Sequence, residues 1–157
     1  MMDKNKLVYS IMDTLYELSR EISEYESIPR QYGTDDEIFM VEAHTINLIG
    51  ENSSITISEI AKMSNKTKGA ISQMVEKLIN KEIVFKVKDS SDQRRVFLNL
   101  TEKGKRIFDY HKKLDEKEYS KIIKKLNHFT YDEFETFYQI AQQMLEIMRE
   151  GSAKGTE

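Results

Sequence analysis

Apolar residues recur at every third or fourth position along most of this chain, and only one short stretch alternates strictly. Leu7, Ile11, Leu15, Leu18, Ile22 and Tyr25 form one stripe, which predicts an amphipathic helix ending before Pro29. After the break "IPRQYG", Thr34 and Glu37 have the T-x-x-E spacing of a capping box. They predict a second helix that runs through Leu48 and Ile49 and closes at Gly50. Thr56 and Glu59 repeat that spacing, with Ile55 and Ile60 placed as a hydrophobic staple, so a short helix is expected to open there. Ser64 and Asn65 interrupt it. Thr67 is then positioned to cap a further helix with Ile71, Met74, Val75 and Leu78 on its buried face, ending at Asn80 and Lys81. The pattern is two short helices joined by a tight turn.

The alternating stretch is "VFLNL", where Val96, Leu98 and Leu100 face one way and Phe97 and Asn99 the other. Val84 to Lys88 can pair with Arg95 to Leu100 across the polar turn "DSSDQ", giving a hairpin. Thr101 is expected to cap a long helix through Leu126, with Ile107, Leu114 and Ile122 on its stripe. A last capping box, Thr130 with Glu133, and a staple, Phe129 with Phe134, open a final helix with Phe134, Phe137, Tyr138, Ala141, Leu145 and Met148 on its apolar face. Residues 151–157, "GSAKGTE", are expected to form a flexible tail. One proline and six glycines in 157 residues favour long helices. The predicted fold is therefore mainly α with a small β-hairpin wing. It is a winged helix-turn-helix over residues 34–106, flanked by helical regions at 1–33 and 107–150. Those flanking helices carry more apolar surface than a small three-helix lobe covers. They are expected to pack together and form a homodimer, the alternative being that they close a monomeric core.

Composition sharpens this picture at one place. The formal net charge is −3, yet residues 56–106 hold twelve lysines and arginines against six acids, leaving −9 for the rest. A basic middle in an acidic body is the pattern of a polyanion-binding surface, although a solvated charge block would look the same. The absence of cysteine excludes disulfides, thiolate zinc sites, thiol redox sensing and a cysteine nucleophile. The longest apolar run is Ile38 to Val41, and Asp3, Lys4 and Lys6 precede any apolar stretch, so neither a membrane span nor a signal peptide is expected and the cytoplasm is the expected location. No Gly-rich phosphate loop, nucleophile elbow or H-E-x-x-H motif occurs, which argues against an enzyme.

A helix-turn-helix beside a basic hairpin suits duplex DNA. With the apolar face turned inward, the second helix presents Lys68, Gly69, Ser72, Gln73 and Glu76. Gln73 offers an amide to adenine, Ser72 donates or accepts at a base edge, and Gly69 lets the backbone come close. Lys66, Thr67 and Lys68 sit at the helix start, the lysines placed for phosphate or guanine. In the hairpin, Asp92 is two residues from Arg94 and is expected to brace its guanidinium for the narrow, electronegative minor groove. Arg95, Lys88 and Ser90 are expected as neighbouring contacts. Against this stand a plain amphipathic surface helix and hairpin charges that serve solubility or block edge pairing. A winged helix can also bind an acidic protein partner through the same face.

The stretch "DSSDQRRVFLNLTEKGKRI" closely matches the wing signature of the MarR family of bacterial transcription regulators. That signature is D-x-R, five residues, then L-T, here Asp92, Arg94, Leu100 and Thr101, followed by Glu102, Lys103 and Gly104. "TISEIAKMSNKTKGAISQMVEKLINKEIV" also resembles the family's helix-turn-helix, so the likeness is specific over Ile55 to Ile107 and architectural elsewhere. It implies a homodimeric regulator, usually a repressor, on a roughly palindromic operator, with release controlled by a ligand between the lobes. Zinc regulators of the family use histidine and carboxylate ligands from similar regions. His111 and Asp115 are four apart on one helix face, and Glu42 and His44 could approach them; each histidine is more simply a buried or interfacial side chain. No cofactor is expected. The eight methionines and eight tyrosines are suited to an organic-effector pocket or, equally, to plain core packing.

Overall fold

The computed structural model describes residues 3–92 and 94–154. The elements in chain order are α1 (Lys4–Ser27), α2 (Met40–Glu51), α3 (Ile57–Met63), α4 (Lys68–Asn80), β1 (Val84–Lys88), β2 (Val96–Leu100), α5 (Glu102–Lys125) and α6 (Tyr131–Lys154). This is the mainly helical fold with a two-stranded antiparallel hairpin that the patterning predicts. The chain divides into two compact units, residues 1–114 and 115–157.

The core of the first unit is built from one stripe or one face of each of its elements. Ile46 and Ile49 of α2, Ile60 of α3, Ile71, Val75 and Leu78 of α4, Leu98 of β2 and Ile107 of α5 are all buried in it. The hairpin register pairs Val84 with Leu100 and Lys86 with Leu98, so Val84, Leu98 and Leu100 point into that core from one face of the sheet. Ile55 adds a third edge: the Leu98 N–H donates to its carbonyl at 2.9 Å. Gly104 permits close approach of α5 to the end of α4, since a methyl group built there would collide with the Ile83 carbonyl oxygen.

The start of α2 differs from its prediction. Thr34 and Glu37 form no capping box; the Thr34 hydroxyl is buried without a hydrogen-bond partner, and α2 opens only at Met40. Ile38 is the reason. It is fully buried and held in extended conformation by a two-way backbone bridge with Arg30, at 2.9 and 3.0 Å, which keeps residues 30–38 out of helix. The cap moves downstream, where the Glu42 carboxylate accepts from the Phe39 N–H at 2.9 Å.

In the second unit the Thr130 box forms as predicted: the Thr130 N–H and hydroxyl donate to Glu133 Oε2 at 2.7 and 2.8 Å, and the Phe129 and Phe134 rings meet edge to face at 6.2 Å. Helix α6 continues through Lys154, four residues into the stretch expected as a flexible tail; 155–157 lie outside the described residues. Neither α1 nor, among its described side chains, α6 buries any residue, although both carry the broad apolar faces read from the sequence.

Candidate nucleic-acid interface

The turn between α3 and α4 is a complete Schellman motif. Asn65 occupies the left-handed position at φ 52°, its N–H donating to Lys62 O, while the Lys66 N–H donates to Ala61 O at 2.9 Å. Asparagine tolerates this conformation better than other non-glycine residues. The entry of α3 is fixed by the predicted box: the Thr56 hydroxyl and N–H both donate to Glu59 Oε2, at 2.7 and 2.8 Å. Those bonds, the hydroxyl's first, with a further contribution from Arg95, hold the Glu59 carboxyl below the usual glutamate range. Thr67 caps α4 by accepting from the Ala70 N–H at 3.2 Å.

On α4, Ile71, Val75 and Leu78 are buried as predicted, and half-buried Met74 receives the Thr45 hydroxyl on its sulfur at 2.9 Å. Lys68, Gly69, Gln73 and Glu76 are exposed and Ser72 is half-buried, so the predicted outward face is outward. Nothing lies within 4 Å of a Cβ built on Gly69, so packing does not require that glycine. Lys66 and Thr67 are exposed at the turn. The far end of α4 closes in a second Schellman motif, with Glu82 at φ 58° and the Ile83 N–H donating to Leu78 O.

The hairpin tip is ordered by two aspartates. Asp89 Oδ1 accepts from the Ser91 hydroxyl and N–H at 2.7 and 2.8 Å, which lowers its pKa, the hydroxyl bond contributing most. Asp92 Oδ1 accepts from the Arg94 N–H at 3.0 Å. This corrects the expected brace: the carboxylate closes an Asx-turn on the backbone two residues on, which costs less side-chain entropy than fixing a guanidinium. Arg94 is thus positioned through its main chain. Arg95 instead rests its guanidinium 5.2 Å from the centre of the Phe97 ring.

Between α3, α4 and the hairpin lies a groove of about 430 Å³ lined by Thr56, Ser58, Lys68, Lys86, Arg94 and Arg95 among others. The fold therefore brings Lys68, Arg94 and Arg95 together from the predicted set. Lys88, Ser90 and Asp92 are exposed on the hairpin outside this lining. Lys86, Thr56 and Ser58 were not among the contact residues predicted from the sequence. Lys86 shares the strand face of Lys88, and that two-residue period was the available signal. Its ammonium forms an ion pair with Glu76 of α4. Among the described residues, Lys68, Arg94 and Arg95 enter no ion pair.

The metal candidates do not assemble. Glu42 caps α2 and faces Lys81 at 3.4 Å, and His44 is exposed rather than buried, its ring edge-on to His111 at 5.7 Å. His111 is fully buried, with Nδ1 2.9 Å from Asn47 Nδ2 and Nε2 3.3 Å from the Met40 sulfur, and Asp115 is half-buried in the second unit. Among the described residues no group of three or more histidines, cysteines or acids is arranged to hold a metal ion.

Residues 38–96, which span α2 to the first residue of β2, match the family model described as MarR family. Over that stretch the chain resembles the MarR family. It is 28% identical over 117 residues to the HTH-type transcriptional regulator PchR of Bacillus subtilis (strain 168), covering 74% of this chain and 69% of PchR. The chain spans 62–69% of the length of the first three curated HTH-type regulators it matches. Its fold is that of the zinc-responsive MarR family member ZitR from Lactococcus lactis, with a TM-score of 0.72 at 20% identity, covering 90% of this chain and 99% of ZitR. Streptococcus pneumoniae FabT in complex with DNA gives a TM-score of 0.68 at 22% identity, covering 94% and 99%. These relatives are named HTH-type transcriptional regulators, and the fold neighbours include a DNA complex. Among the described residues no helix is long and apolar enough to cross a membrane.

Proposed function

We propose that this protein acts as a cytoplasmic homodimer that binds a palindromic operator in double-stranded DNA and represses transcription. In this reading α4 of each protomer enters the major groove of one half-site, while Arg94 enters the adjacent minor groove. The observation that carries the reading is the groove in which Lys68, Arg94 and Arg95, none of them in an ion pair among the described residues, stand beside the exposed face of α4. Such cations around a protruding helix fit a phosphate backbone on both sides of a major groove. The contacts fall into two kinds: Gln73, Ser72 and Gly69 at base edges, and Lys66, Thr67, Lys68, Lys88, Ser90 and Arg95 at phosphates, with Asp92 positioning Arg94.

The dimer rests on the apolar faces of α1 and α6. Leu7, Leu18 and Ile22 on α1, and Phe137 and Ile147 on α6, are each at least 48% exposed, so each helix presents an apolar face of its own to water. A palindromic operator read by such a dimer would have half-sites about one helical turn of DNA apart, roughly 34–36 Å. Release from the operator is assigned to a small organic effector, since Glu42 and His111, two of the side chains a zinc site would use, are otherwise engaged. Binding-site selection with purified protein, paired with sedimentation of the free and DNA-bound forms, tests all of this. A two-fold consensus bound by a dimer is expected; a dilute monomer, or no enrichment over random duplex, would refute it.

A further inference from the structure

The ion pair between Glu76 and Lys86 joins the exposed face of α4 to the hairpin, and it is the one acidic group on the helix face that the operator reading turns toward DNA. Gly69, Gln73 and Glu76 lie on one outward stripe at i, i+4 and i+7, directed away from buried Ile71, Val75 and Leu78. A carboxylate on that stripe is repelled by phosphate on every sequence. At a base edge it meets lone pairs on guanine N7 and O6 and on thymine O4, but a hydrogen-bond donor at cytosine N4. The Glu76 and Lys86 side chains are 53% and 43% exposed, so water already screens their pair and a phosphate can compete for the ammonium.

Resting on the operator reading, we infer that Glu76 is a specificity-determining residue that reads a cytosine in each half-site, with Lys86 as its latch in the free protein. On a matching operator Lys86 passes from the carboxylate to a phosphate lining its groove, and Glu76 accepts a hydrogen bond from the cytosine amino group. On other sequences the pair stays closed, because opening it would leave an unpaired carboxylate facing acceptors. The latch thereby keeps one groove cation from contributing to indiscriminate binding.

The test is binding-site selection with the full chain and with Glu76→Gln, a near-isosteric change on a half-exposed side chain, followed by titration of random duplex at several salt concentrations. Wild type is expected to enrich cytosine at one position per half-site by about tenfold over the other bases, the scale of one good base contact. Glu76→Gln should lose that cytosine, keep the rest of the consensus, bind random duplex several-fold tighter and show a steeper salt dependence, because Lys86 is released. Lys86→Gln should keep the cytosine and weaken binding to the matching operator more than to random duplex, where the pair stays closed. A Glu76→Gln consensus identical to wild type at every position, or unchanged affinity for random duplex, would overturn the inference while leaving the operator reading intact. A wild-type protein that enriches no sequence would overturn the operator reading and this inference with it.

Discussion

Replacing Lys68 with alanine isolates the electrostatic part of the proposed DNA contact. Lys68 is exposed at the start of α4, lines the groove with Arg94 and Arg95, and enters no ion pair among the described residues, so its charge is available for phosphate. Each phosphate contact contributes about 0.9 to the slope of log affinity against log salt, through release of condensed counterions. Three such groove cations in each of two protomers predict a wild-type slope of about −5 from the grooves alone. Lys68→Ala removes two contacts per dimer and should make that slope shallower by about 1.8. Between 50 and 200 mM salt, the wild type would then lose about 12-fold more affinity than the variant. Fluorescence anisotropy of a labelled operator across that range measures both slopes. Operator preference should be unchanged, because a phosphate contact carries no base information. Equal slopes for the two proteins would place Lys68 away from the backbone and refute the assigned face.

Three further outcomes follow from the fold. Glu82→Gly relieves a left-handed residue at the end of α4 and should stabilise the protein by about 0.5–1 kcal/mol after glycine's greater unfolded-state entropy, read as a higher urea midpoint. Gly104→Ala drives a methyl into the Ile83 carbonyl and should cost about 1–3 kcal/mol in the same assay; an unchanged midpoint would show that α5 shifts freely. The Glu59 and Glu133 carboxyls are held below the usual value by bonds from Thr56 and Thr130, so their stabilisation is full above about pH 4.3 and lost as pH falls through the depressed values. The double variant Glu59→Gln, Glu133→Gln should therefore show a flatter acid limb in melting temperature against pH, and an unchanged limb would count against both caps.

Local chemistry was legible wherever one short segment decided the outcome. Thr56, Thr67 and Thr130 cap their helices because the partner backbone lies three residues away, and the apolar period of Ile71, Val75 and Leu78 fixed which face of α4 turned inward. Readings failed where a distant requirement prevailed. Thr34 and Glu37 have the spacing of a cap, but burial of Ile38 and its bridge to Arg30 forbid helix there. Asp92 could be seen to hold position 94, but the competition between backbone and guanidinium is settled by turn geometry and side-chain entropy. Of the two alternatives for His44, buried or interfacial, burial within the protomer does not occur, because Ala43 and Ile46 occupy the centre of the buried face. Lys86 was missed as a contact because its partner Glu76 is ten residues away and only the fold brings them together. At residues 151–154 glycine and serine composition suggested an end, while α6 simply continues.

The backbone bond from Leu98 to Ile55 fastens the entrance of α3 to the second strand of the hairpin. The hairpin's second strand and the start of α3 are consequently joined directly through the main chain, without a side chain between them. A shift of that strand is therefore passed straight to the segment that opens α3, and a change at either end is felt at both.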